Sequence, residues 1–130
     1  MFSLKKNTLR VILLSLTLLL LSSKVFANEA DNVKYYCNKV NGEIEYVLKD
    51  RTRVDCLTKD IAFEFDFAKK GYEAIGQSLH YSTLTNKKAG IYLIIKNPKE
   101  YKYINRLIKI CKIYDIELII VQDVSQKKLK

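Results

Sequence analysis

Ile61-Ala62-Phe63-Glu64-Phe65-Asp66-Phe67 decides the architecture of this chain. Odd positions are apolar, three of them phenylalanine, and the even positions hold Ala62, Glu64 and Asp66. Strict alternation over seven residues is the period of a β-strand with two chemically different faces. The preceding Arg53 to Leu57 alternates as well, with Val54 and Cys56 opposing Arg53, Asp55 and Leu57. Thr58-Lys59-Asp60 is turn chemistry between the two. If the strands pair with their apolar sides together, Asp55, Glu64 and Asp66 share the opposite side. Facing like charges repel, so such a cluster needs a cation, a proton or a solvated rim.

Working toward the N-terminus, Val33 to Val40, Asn41-Gly42 and Glu43 to Leu48 read as a hairpin, because Asn-Gly suits a tight primed turn. Lys49 to Thr52 is a second turn. Toward the C-terminus, Gly71 opens a helix reaching about Thr83, whose polar stripe holds Lys70, Glu73, Gln77, His80 and Tyr81, with Tyr72, Ile75 and Leu79 on the far side. Ile91 to Ile95 and Glu117 to Val121 are short apolar runs that fit buried strands. Between them, Asn97-Pro98 stops one element and opens a helix ending near Ile113. The expected order is ββββαβαβ, an α/β three-layer domain with a mixed central sheet.

The first 27 residues read as a secretory signal peptide. Lys5, Lys6 and Arg10 precede the uncharged run Val11 to Leu21, and Val25 and Ala27 suit the −3 and −1 positions of a cut. The run is shorter than the roughly 20 residues of a spanning helix, so no stable membrane insertion is expected after cleavage. The expectation is an exported protein, periplasmic or secreted, with residues 28–130 as one domain. Cleavage removes four basic residues and no acid, taking the formal charge from +9 to +5. That charge is compatible with nucleic acid and equally with an anionic surface. In an oxidising compartment three cysteines leave one pair and one thiol. Cys37 and Cys56, on neighbouring strands of the expected order, are the favoured pair, and Cys111 is a buried thiol.

Asp55, Glu64 and Asp66 are of the type that binds Mg²⁺ or Mn²⁺, since hard divalent cations take oxygen ligands. Followed by Gln77-Ser78-Leu79-His80-Tyr81, the acids resemble the PD-(D/E)XK, or restriction-endonuclease-like, nuclease superfamily and its RecB-type branch, which carries a QxxxY motif on the helix after the catalytic strand. The stretch from Arg51 to Leu79 is also similar to small bacterial proteins with a nuclease-like core. The resemblance implies a restriction-endonuclease-like fold and Mg²⁺-dependent hydrolysis of DNA or RNA. It implies Asp55 and Glu64 as metal ligands, with Asp66 assisting, and Gln77 and Tyr81 positioning the strand. Where the family has lysine two residues after the second acid, this chain has Asp66, so Lys69 or Lys70 is expected to serve the water. The family core also begins with an acid-bearing helix, for which Glu43 and Glu45 are the candidates here. The alternative expectation is a binding protein of the envelope or secreted milieu that kept the nuclease fold and lost its chemistry. His80, the sole histidine, reads as a surface residue.

Overall fold

The computed structural model describes residues 2–125, with the side chains of 2–7, 9, 16 and 18–28 excepted. The basic tail from residue 126 onward lies outside the described residues. Eight elements follow in order: α1 (Phe2–Lys39), β1 (Glu43–Val47), β2 (Arg53–Leu57), β3 (Ile61–Phe67), α2 (Gly71–Thr85), β4 (Lys88–Ile95), α3 (Tyr101–Ile113) and β5 (Glu117–Gln122). Single 3₁₀ turns, Ala68–Lys70 and Pro98–Glu100, lead into α2 and α3.

The five strands form one mixed sheet in the order β1-β2-β3-β4-β5. β1, β2 and β3 pair antiparallel, whereas β3, β4 and β5 run parallel. The α/β class and the mixed sheet therefore agree with the sequence, but the order is αβββαβαβ. Val33 to Val40 is not a strand. Its residues up to Lys39 belong to α1, and the reason is visible in the spacing. Val33, Tyr36, Cys37 and Val40 recur at i, i+3, i+4 and i+7, the stripe of a helix.

Asn41-Gly42 is correspondingly no hairpin turn but the end of α1. Asn41 takes a left-handed conformation (φ 51°). The Gly42 N–H donates to the Cys37 carbonyl (3.0 Å) and the Asn41 N–H to that of Asn38 (3.3 Å). This pair of bonds is a Schellman motif, which satisfies carbonyls that a helix end leaves open. A side chain at position 42 would collide with the sulfurs of Cys37 and Cys56, so glycine is needed there for close approach.

α2 and α3 cover one face of the sheet. Ala74 of α2 and Ile104, Leu107 and Cys111 of α3 pack on Ala89, Ile91, Leu93 and Ile95 of β4. α1 covers the other face, where Val33 and Cys37 meet Phe63, Phe65, Tyr92, Ile94 and Val121. The Phe65 and Tyr92 rings stack at 4.5 Å between centroids. α1 is further fastened to the end of β5. The Tyr36 hydroxyl donates to the Gln122 carbonyl (2.6 Å) and the buried Asn32 amide to Asp123 Oδ1 (2.9 Å).

Cys37 and Cys56 form a disulfide with Cα atoms 5.7 Å apart, and Cys111 is a buried thiol. The pairing agrees with the sequence, but the bond joins the last turns of a helix to β2, not a hairpin to a strand. It is compatible with an oxidising compartment. Among the described residues no helix is long and apolar enough to cross a membrane.

Candidate functional site

β2 and β3 build the floor of the site. Cys56 lies opposite Phe63 and Leu57 opposite Ala62, which brings Asp55 up to Glu64 at the next step. There the ladder changes character. The carboxylate of Asp55, through Oδ2, accepts the Phe65 N–H at 2.8 Å, in place of a backbone carbonyl.

Glu64 is 5% exposed, and its Oε2 is buried with no hydrogen-bond partner. A buried polar atom left unpaired is expensive, by about 1–3 kcal/mol or more for a charge. Burial pushes the Glu64 carboxyl up to about 10, with the Asp55 charge and the hydrogen bond shared with Asp55 adding to it. Asp55 is raised as well, chiefly by burial, although the Phe65 N–H and the proton shared with Glu64 hold it back. The two carboxyls thus share a proton when nothing else neutralises them.

Asp66, also buried, is raised to about 6 by burial; the Phe67 N–H (2.8 Å) and Lys70 lower it, while Glu73 and Asp55 raise it. A fourth acid comes from α1. Glu29 is raised to about 7 by burial and then by the charges of Asp66 and Asp55, against Lys70. Glu29 is absent from the sequence reading because its segment lay outside the strands assigned there. It sits on the α1 stripe, three and four residues before the buried Asn32 and Val33, and that spacing was the available signal. Glu43 and Glu45 do not supply this acid: both are exposed on β1, and Glu45 pairs with Arg53 (2.9 Å).

α2 closes the site from above. Its buried line is Gly71, Ala74, Ser78 and Tyr81, while Tyr72 is exposed. Tyr81 therefore faces the sheet more deeply than a solvated polar stripe would place it. Burial raises its phenol above the ordinary tyrosine value, and Glu64 and Asp55 add to the rise. The Tyr81 hydroxyl reaches the exposed Gln77 one turn away, at 3.4 Å from Oε1. Of the two lysines, Lys70 acts on Glu29 and Asp66, whereas Lys69 lines a groove toward α3. His80 is exposed and bonded to Asp50 (Nε2 to Oδ2, 2.8 Å), away from the acids.

Asp55, Glu64, Asp66, Lys70, Gln77 and Tyr81 are thus gathered on the α2 side near the carboxyl end of β3, with Glu29 reaching in from α1. Among the described residues no three His, Cys, Asp or Glu side chains close into a ready-made metal cage. Mg²⁺ does not require one, because it keeps waters and uses one or two carboxylates plus substrate oxygens. The orphaned Glu64 oxygen beside Asp55 fits such an ion. No protein-family model, curated protein or solved structure matches the chain.

Proposed function

We propose that the protein is an exported, Mg²⁺-dependent phosphodiesterase of the PD-(D/E)XK type, acting on nucleic acid. The observation that carries this reading is Glu64, buried with one oxygen unpartnered and crowded by Asp55, Asp66 and Glu29. Four acids drawn together by folding, with their proton affinity raised, form a receptor for positive charge. The acid on the first helix and the Gln77/Tyr81 pair over the acids add support, since both are expected of a nuclease-like core.

Asp55 and Glu64 would hold the ion, with Asp66 and Glu29 beside them. A bound Mg²⁺ supplies Lewis-acid polarisation of the phosphoryl oxygen and a more acidic water. Lys70, the cation whose charge reaches Asp66 and Glu29, takes the place of the lysine that Asp66 displaces, orienting the water and offsetting its developing charge. Gln77 is exposed at the rim and offers an amide to a phosphate or base edge. Tyr81 keeps its proton at neutral pH, so it acts as a hydrogen-bond donor and not as a base.

Magnesium titration of residues 28–130, followed by calorimetry, tests the reading. Binding at or below millimolar concentration and cleavage of DNA or RNA are expected. Asp55→Asn should abolish both, with activity falling at least about a hundredfold, and should leave the fold intact because the amide oxygen can still accept the Phe65 N–H. A wild type that neither binds Mg²⁺ nor cuts any nucleic acid would replace the enzyme with the fold-retaining binding protein. For export, the intact mass of the secreted product should begin at Asn28. A product retaining Met1 to Ala27 would overturn that assignment.

A further inference from the structure

We infer that the groove between α2 and α3 is a binding site for single-stranded nucleic acid, holding one phosphate and one unpaired base of the strand whose next segment enters the acid cluster; this rests on the phosphodiesterase reading. The groove measures about 240 Å³, with Lys69, Tyr72, Tyr103 and Arg106 on its walls and Ala68 and Leu107 beneath. Its charge is of one sign. Lys102 and Arg106 lie over the Tyr103 ring, at 5.1 Å and 5.8 Å from its centroid. Lys69, Lys102 and Arg106 form no ion pair among the described residues. α3 carries four basic residues and no acid. The Glu100 carboxylate just before it is buried and occupied by the Lys96 N–H (2.8 Å). Two unpaired cations on a concave surface, Lys69 and Arg106, with Lys102 close by over the Tyr103 ring, are complementary to phosphate, and Arg106 can meet two of its oxygens at once.

The aromatic component selects the strand type. Tyr72 is 62% exposed at the groove wall. An exposed ring stacks only on a base that is not already stacked in a duplex, so the chemistry favours a single strand. The location ties the groove to the acids. The 3₁₀ turn Ala68–Lys70 separates them, with Lys69 on the groove side and Lys70 on the acid side. A strand crossing this turn passes from one site to the other.

The test is fluorescence anisotropy of a labelled single-stranded oligonucleotide with the wild-type chain, read with Mg²⁺ replaced by Ca²⁺ to restrain cleavage. Lys69→Ala and Arg106→Ala should each weaken binding about three- to tenfold, and together reduce the salt slope of log K by about 0.7, the value for one phosphate of a single strand. Tyr72→Ala should cost about fivefold or more, and Tyr72→Phe should restore the affinity, because stacking needs the ring and not the hydroxyl. Lys109→Ala makes the same charge change on α3 away from the groove and should cost less than either groove substitution. Equal losses for Lys109→Ala and the groove variants, no wild-type binding, or tighter binding to phosphatidylserine vesicles than to the oligonucleotide would each overturn the inference. An oligonucleotide bound through these residues but never cut leaves the groove standing and removes the enzyme. Cleavage indifferent to all three groove residues does the reverse.

Discussion

Without divalent metal, the protein should be markedly more stable at pH 5 than at pH 8. The cause is the acid cluster. Folding raises the carboxyls of Asp66 to about 6, Glu29 to about 7 and Glu64 to about 10. A carboxyl raised on folding holds its proton more tightly in the native state. Its contribution is therefore complete below the unfolded pKa, near 4–4.5, and is lost as pH climbs through the folded value. Each pH unit within that window is worth about 1.4 kcal/mol per group, so Glu64 alone should remove roughly 3 kcal/mol between pH 5 and pH 7. For a domain of this size the Tm should fall on the order of 10 °C or more. Asp123 works at the other end of the scale. Burial acts to raise it, but hydrogen bonds from Asn32 and Ser125 outweigh that and leave it lowered, so its stability is lost as pH falls below about 4. Thermal melts from pH 4 to 9 read the effect directly. Glu64→Gln, which keeps the shape and offers its amide N–H to Asp55, should flatten the slope and raise the Tm at pH 8 while destroying Mg²⁺ binding. A Tm that is level or rising from pH 5 to pH 8, or a Glu64→Gln variant less stable than wild type at pH 8, would show that the carboxyls do not crowd one another in this way.

The second large effect concerns the disulfide. Replacing both Cys37 and Cys56 by serine should lower the stability by about 3 kcal/mol, the loop-closure value for a separation of 19 residues. The bond joins α1, which bears Glu29, to β2, whose Asp55 adjoins Cys56. Its loss should also loosen Glu29 from Asp55 and Asp66, so Mg²⁺ affinity should fall along with stability. Urea denaturation of the double variant and of reduced wild type should give matching midpoints below that of the oxidised chain. An unchanged midpoint would mean that the two elements are held by packing alone, through Val33 and Tyr36 on the Phe63–Tyr92 face.

How much of this was legible in the sequence follows the periodicity. The seven-residue alternation of β3 is unambiguous because phenylalanines and acids differ so strongly in transfer energy. The apolar runs of β4 and β5 are equally plain. Asp55, Glu64 and Tyr81 could be grouped because strand pairing and helix spacing each set neighbours by simple counting. Two things were obscured. Asn-Gly serves a hairpin and a helix stop with the same left-handed geometry at asparagine, so the turn signal favoured a strand where α1 runs. That misreading hid Glu29, whose partners lie far along the chain. The depth of Tyr81 was hidden for another reason. α2 is buried along small residues, Gly71, Ala74 and Ser78, which no hydrophobicity pattern marks.

Strand order has a bearing on when the site comes into existence. Every strand of the sheet pairs with its neighbour in sequence, and the partners across each parallel crossover, such as Ile61 with Lys88 and Gly90 with Glu117, are only 27 residues apart. α1 is the exception. It is the first element of the chain, yet the Asn32–Asp123 hydrogen bond that pins it spans 91 residues. A chain synthesised from its N-terminus cannot make that contact until β5 has emerged. The acid-bearing helix can meet β2 and β3 earlier, through the disulfide and the Phe63–Phe65 face, but its Asn32 anchor closes only when the last strand is in place.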